Sequence, residues 1–298
     1  MWDLLPKPVL GAFSLLVLIV NTFFWTSLLF LVFLIKKMVP RDGWRRACDR
    51  LIHELGQNWI GCNCFGLECT KKIRWDIQGI DNLKRDAWYL VLANHQSWVD
   101  IVVLQKIFHR RIPFLKFFLK KELIWVPMLG TAWWALDFPF VRRDSSVRKD
   151  FETTRKACEK FKSTPVSVMN FVEGTRFTQA KHEQQNSPYA NLLKPKAAGI
   201  ALVLDALREE IHSILDVTIV YPEGVLAIWP FLCSRSMEIK VLVREIPVTG
   251  ELIGDYLEDR AFRRPFSNWL NGLWEEKDRL IGSMHRPAGA ASEVAEEI

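Results

Sequence analysis

The sequence predicts an α/β domain carried behind an N-terminal membrane helix and a second, amphipathic helix. Three observations predict it. Residues 9–35 contain no charged side chain. Three short apolar runs, WYLVLA, VSVMNFV and ILDVTIVY, read as buried strands. Helical stretches separate them, and strands alternating with helices imply a mixed β-sheet flanked by helices.

The apolar run VLGAFSLLVLIVNTFFWTSLLFLVFLI comes first. At ~1.5 Å per residue it is long enough to cross a ~30 Å hydrocarbon core. It exceeds a signal-peptide apolar region, and no small-x-small cleavage site follows, so it reads as an uncleaved anchor. Lys36, Lys37, Arg41, Arg45, Arg46 and Arg50 follow it, whereas Lys7 alone is basic before it. By the positive-inside rule the remainder lies on the cytoplasmic side. The run is longer than a perpendicular crossing needs and holds Asn21-Thr22 at its middle. A tilted span and a dip into one leaflet both fit.

Next, Trp44, Ala47, Cys48, Leu51, Ile52, Leu55 and Trp59 recur at helical spacing opposite Arg45, Arg46, Asp49 and Arg50. Such a helix lies on a membrane surface or packs on the soluble domain. Ile73, Trp75 and Ile77 alternate with polar residues as a half-exposed strand. Residues 88–93 form a buried strand, 97–108 a helix and 112–119 a strand-like run. Residues 147–161 form a charged helix, 166–172 a second buried strand and 197–208 a helix. Residues 214–221 form a third buried strand and 237–246 an alternating one. Residues 255–281 are helical with an interruption at Pro265, and the Ala/Glu-rich end has the composition of a disordered tail. The expected organisation is an anchoring segment at 1–68, one α/β domain at 69–284 and a tail at 285–298.

Composition narrows the function classes. The 298 residues are 49% hydrophobic and 25% charged; mean hydropathy is +0.04. These values exclude a wholly disordered chain and a polytopic membrane protein. Net charge is +6, which favours an anionic partner. The 13 Trp and 19 Phe suit a water–lipid interface as well as a core. The basic residues are scattered, not gathered into one aromatic-laced stripe, which argues against nucleic acid. Cys62, Cys64 and Cys69 cluster, yet no second pair stands at zinc-site spacing, so no metal is expected. No P-loop, dinucleotide glycine motif, H-E-x-x-H or G-x-S-x-G occurs.

Three constellations carry chemistry. Asn94-His95-Gln96-Ser97-Trp98-Val99-Asp100 follows the first buried strand. Within one helix His95 and Asp100 would stand ~140° apart. They meet if His95 lies in the loop and Asp100 in the first helical turn, an arrangement Ser97-x-x-Asp100 supports as a capping box. A carboxylate against imidazole fixes its tautomer, leaving the other nitrogen to take a proton from a hydroxyl. The same residues also fit a plain helix cap beside a loop histidine. Phe171-Val172-Glu173-Gly174-Thr175-Arg176 follows the second buried strand. Its glycine allows close ligand approach, and its arginine offers a fork for phosphate or an ion pair for Glu173. Third, Phe140-Val141-Arg142-Arg143, with Lys120-Lys121 before it, either holds an anionic head group or is a solvated helix start.

In this order the blocks resemble the 1-acyl-glycerol-3-phosphate acyltransferase family. N-H-x4-D is matched by Asn94, His95 and Asp100. F-[IV]-x-R is matched by Phe140, Val141 and Arg143, and F-x-E-G-T-R by residues 171–176 without change. A hydrophobic strand ending near Pro222 fits loosely. The wording of Trp98-Val99-Asp100 and of residues 215–222 looks closest to a bacterial inner-membrane branch. The resemblance implies acyl transfer to a lysophospholipid hydroxyl from acyl-CoA or acyl-carrier protein, at a membrane and without a cofactor. His95 and Asp100 would be catalytic. Arg176 and Arg143, helped by Lys120, would hold the acceptor phosphate, and Glu173, Gly174 and Thr175 would shape its site. Other lysophospholipid or lyso-aminolipid acceptors, and a non-catalytic binder of anionic lipid, are the alternative readings.

Overall fold

The computed structural model describes residues 6–141, 147–162 and 164–285. Two long helices open it, α1 (Lys7–Met38) and α2 (Asp42–Thr70). The two pack along one another, and α1 also touches α4 (Leu129–Ala135) and α8 (Ile228–Cys233). This packing explains the polar pair inside the apolar run. Asn21 donates to the Asn63 side chain at 2.7 Å, and the Trp59 indole donates to Thr22 Oγ1 at 3.3 Å. Both residues face α2, where their hydrogen bonds are satisfied.

Helix α2 runs eleven residues past the expected apolar stripe and includes Gly56, Gly61 and Gly66. Gly56 shows why a small residue belongs there: a Cβ at this position would stand 3.0–3.1 Å from Leu136 and Phe114. The expected stripe itself divides. Cys48, Ile52 and Trp59 are buried, while Trp44 and Leu51 remain exposed.

Strands β1 (Lys72–Gln78), β2 (Trp88–Ala93), β3 (Leu115–Phe117), β6 (Ser167–Phe171), β7 (Ile211–Val220) and β8 (Ser236–Pro247) build one mixed sheet. Its order is β1-β8-β7-β2-β6-β3. All neighbours are parallel except β7 and β8. Side chains of central strands alternate between two cores, as the period of two requires. Leu90, Leu92, Val168 and Ile214 pack under α5 (Val147–Phe161), α7 (Ala197–Ala206) and α9 (Arg260–His285). Val91, Met169, Leu215 and Val217 pack under α3 (Val99–Phe108) on the other face. A third cluster, with Leu29, Ile52, Trp59, Phe114 and Leu136, joins α1 and α2 to the body.

Two expectations are corrected. The strand-like run at 112–119 divides into β3 and the two-residue β4 (Leu119–Lys120), which pairs with β5 (Phe140–Val141) as a separate small sheet. Helix α9 begins at Arg260, capped by the Asp259 carboxylate, and continues through Pro265. Pro265 falls in its second turn. It removes one donor to Ala261, which is exposed, so water can serve the freed carbonyl. The tail expected at 285–298 lies outside the described residues apart from His285, which closes α9.

Candidate active site

Three adjacent parallel strands, β6, β2 and β7, end at the same edge of the sheet, and each delivers a polar side chain there. This is where open α/β sheets collect ligands. Asn94, directly after β2, donates to Ile219 O and accepts from Ile219 N, both at 2.9 Å. Its side chain thus extends the sheet by one rung and fixes the start of the loop.

His95 follows. Its Nδ1 lies 2.9 Å from Asp100 Oδ2. The same oxygen accepts the backbone N–H groups of Gln96 at 2.6 Å and Ser97 at 2.8 Å. The bond to Ser97 is one arm of the expected capping box; the Ser97 hydroxyl serves Val99 N instead, at 3.2 Å. Asp100 Oδ1 accepts the Tyr221 hydroxyl at 2.5 Å. Burial first, and the Asp100 charge second, push the Tyr221 pKa well above its ordinary value, so this phenol stays a donor. With an acceptor-only carboxylate at Nδ1, the proton belongs on that nitrogen and Nε2 is left to accept. Asp100 is 1% exposed, and the His95 side chain reaches solvent with 11% of its surface. The ring stacks on Phe171, centroids 3.8 Å apart and planes 12° from parallel.

Glu173 is fully buried. One carboxylate oxygen accepts His95 N at 2.8 Å and the other Leu193 N at 2.9 Å. Burial raises its pKa to about 7, against the two backbone donors that lower it. The ion pair with Arg176 does not form: the guanidinium lies over the Trp98 ring, 5.1 Å from its centroid. Glu173 therefore holds the histidine loop and is turned away from any acceptor. The turn after it is tied back once more, by Phe177 N to His95 O at 2.7 Å. Gly174 has φ +68°, and Lys196 lies over it where a Cβ would stand. The Thr175 hydroxyl accepts from Lys181 Nζ at 2.7 Å.

A protein-family model described as Acyltransferase matches residues 74–226, just over half of the chain. The chain belongs to this acyltransferase family. Among curated relatives, mouse and human 1-acyl-sn-glycerol-3-phosphate acyltransferase gamma are 25% and 27% identical over 262 residues. Those alignments cover 81% of this chain and 65% of each relative, so the chain spans just under two thirds of their length. Lysophosphatidylinositol acyltransferase 10 of Caenorhabditis elegans is 23% identical over 296 residues, covering 92% of this chain and 71% of the relative. The crystal structure of the 1-acyl-sn-glycerophosphate acyltransferase PlsC from Thermotoga maritima aligns over 88% of this chain and 95% of its own, with a TM-score of 0.48 and 18% identity.

The candidate site is braced by α9, which lies beyond the region matched by the family model. The Trp274 indole donates to Leu193 O at 3.0 Å, and the Asp278 carboxylate accepts the N–H groups of Ala190 and Asn191 at 2.8 and 2.7 Å. Leu193 in turn supplies the second donor to Glu173. Lys277, fully buried, pairs with Asp216 at 2.7 Å beneath this loop, and burial lowers its pKa.

Of the other sequence candidates, Lys120 is exposed on the separate small sheet. Phe117, at the end of β3 and two residues before that sheet, places its ring against Phe171. Arg143 lies outside the described residues. Cys62, Cys64 and Cys69 sit on one helix with only Cys64 buried, and no metal-binding group of side chains occurs among the described residues. Sequence reasoning missed Tyr221 as a partner of Asp100, although Tyr221-Pro222 at the end of a buried strand was a usable signal. It also missed Lys181 and Lys196.

Proposed function

We propose that this acyltransferase moves a fatty acyl group from acyl-CoA or acyl-carrier protein to the sn-2 hydroxyl of lysophosphatidic acid, giving phosphatidic acid. The observation that carries the reading is His95, held at Nδ1 by Asp100 with Nε2 left over. Nε2 takes the hydroxyl proton as the oxygen attacks the thioester carbonyl. The carbon–sulfur bond then breaks, and the imidazolium returns the proton to the departing thiolate. Asp100 stabilises that imidazolium. No acyl-enzyme is needed. Arg176 takes the acceptor phosphate, a role its planar fork suits, with Arg143 and Lys120 as further basic groups.

Membrane attachment follows from α1. Its inward face is Leu10, Gly11, Ser14, Thr26 and Leu29, whereas Leu16, Ile19, Val20, Phe23, Phe24 and Leu31 are exposed. The helix is long and apolar enough to cross a membrane. Yet it packs along α2, which carries Arg45, Arg46, Asp49, Arg50 and Glu54 and does not belong in hydrocarbon. We therefore read α1 as lying in one leaflet with its outer face in lipid. The acceptor then keeps its chain in the bilayer, avoiding a cost of ~0.8 kcal/mol per extracted CH2. The assignment to a bacterial cytoplasmic membrane, domain on the cytoplasmic side, rests on the wording of residues 98–100 and 215–222 and on the basic residues after the apolar run. The curated relatives named above are animal proteins and do not carry that assignment.

The test is transfer from labelled acyl-CoA and acyl-carrier protein to a panel of lysophospholipids in detergent micelles. Preferred transfer to lysophosphatidic acid supports the reading. Preferred transfer to lysophosphatidylinositol would move the acceptor toward that of the nematode relative. Transfer to none, with retained lipid binding, would leave a non-catalytic lipid binder.

A further inference from the structure

Three cations stand on one three-residue turn. Lys196 lies over Gly174, its Nζ 3.1 Å from where a Cβ would be. The Lys181 ammonium donates to Thr175 Oγ1 at 2.7 Å and to Arg176 O at 3.1 Å. Arg176 itself lies over Trp98. None of the three forms a salt bridge with a carboxylate among the described residues: Glu173 is turned inward on two backbone N–H groups, and Glu183, two residues after Lys181, accepts from Gln179 at 2.9 Å. Clustered like charges raise the energy of the folded state. An anion carrying more than one charge relieves that repulsion, which a single positive charge beside a phosphate would not require.

The place of this turn says which anion. Both of its ends are tied to His95, Glu173 to His95 N and Phe177 N to His95 O. The cations therefore stand within a few residues' reach of the base. In a lysophospholipid, one methylene carbon and an ester oxygen separate the hydroxyl-bearing carbon from phosphorus. The phosphates of CoA lie at the far end of the pantetheine arm. The acceptor headgroup is the better occupant.

We propose that Lys181 and Lys196, with Arg176, form a cradle that reads the charge of the acceptor headgroup and selects a doubly ionised phosphomonoester over phosphodiesters. This deepens the proposed function and rests on it for the identity of the acceptor. A phosphomonoester gains its second charge near pH 6, whereas a diester never does. Selection therefore strengthens as pH rises through that value.

The experiment compares kcat/KM for lysophosphatidic acid and lysophosphatidylglycerol, at about pH 5 and about pH 8. It uses wild type, Lys181→Gln, Lys196→Gln and the double variant. In wild type the monoester-to-diester ratio rises with pH. In the double variant it falls about tenfold at the higher pH and loses its pH dependence, and Lys181→Arg with Lys196→Arg restores it. A ratio unchanged by the double substitution overturns the proposal. So does a defect confined to the KM of acyl-CoA and absent with an acyl thioester lacking phosphates, which would give the cradle to the donor. A second arm needs no turnover: binding to phosphatidylcholine vesicles doped with phosphatidic acid or with phosphatidylglycerol. Wild type prefers the former and the double variant does not; equal binding by both overturns the cradle. If wild type transfers to neither acceptor but keeps this preference, the proposed function fails and the cradle stands.

Discussion

The loop after β2 and the turn after β6 leave neighbouring strands at the same edge of the sheet, yet they use their polar groups in opposite ways. In the first, every group points inward. Asn94 completes a sheet rung, and Asp100 accepts from His95, Gln96, Ser97 and Tyr221. The far nitrogen of His95 is left over. In the second, one carboxylate is buried while the cations that follow it, Arg176 and Lys181, are held at the surface by a ring and a hydroxyl. Under the proposed function a proton-transfer group needs one geometry, which the pinned loop provides, and a headgroup site needs charge at an open surface, where Arg176 is exposed.

The sharpest way to break this contrast is in the pinned loop. His95→Ala removes the proposed base, and kcat should fall about 10²–10⁴-fold with little change in acceptor KM; steady-state acyl transfer checks it. In the open turn the split should reverse. Arg176→Ala should raise acceptor KM about tenfold with a smaller change in kcat. A fall in kcat equal to that of His95→Ala would mean the two regions are not separate in function.

Tyr221→Phe tests how tightly the first loop is pinned. It deletes one donor to Asp100 and leaves the ring, so stability should fall by about 1–2 kcal/mol, read from urea denaturation. The pH profile of kcat should shift with it, since the carboxylate facing His95 loses a hydrogen bond.

Glu173 gives an effect confined to one pH window. Its folded pKa of about 7 stands above the ordinary 4.5, so the folded state binds more protons than the unfolded state between these values. Its contribution to stability is full below pH 4.5 and is lost as pH rises toward 7. Subtracting the pH–stability curve of Glu173→Gln from that of wild type should leave a downward slope confined to that window. A flat difference would mean Glu173 is not held in a dry site.

Much of this was legible because burial writes a strong pattern. WYLVLA is β2 residue for residue, and residues 147–161 are α5 as expected. The His95–Asp100 meeting was one of two arrangements that Ser97 and the five-residue spacing left open, and the match to N-H-x4-D favoured it. Three things were hidden. Ionisable type does not reveal direction, so Glu173 looked like a partner for Arg176 when it faces two backbone N–H groups. Lys181 and Lys196 lie on different elements, and only the folded turn brings them to residues 174–176. The passage of α9 through Pro265 depended on that proline falling near an exposed helix start, which the residue alone does not tell.

The most direct measurement is release of thiol from acyl-CoA by wild type and by His95→Ala, each with and without lysophosphatidic acid, with folding checked by circular dichroism. The account predicts release by wild type only when acceptor is present, no acyl adduct in the mass of the protein, and almost no release by His95→Ala. Undiminished release by His95→Ala, or a stoichiometric acyl-protein formed without acceptor, would contradict proton abstraction from the acceptor hydroxyl by His95.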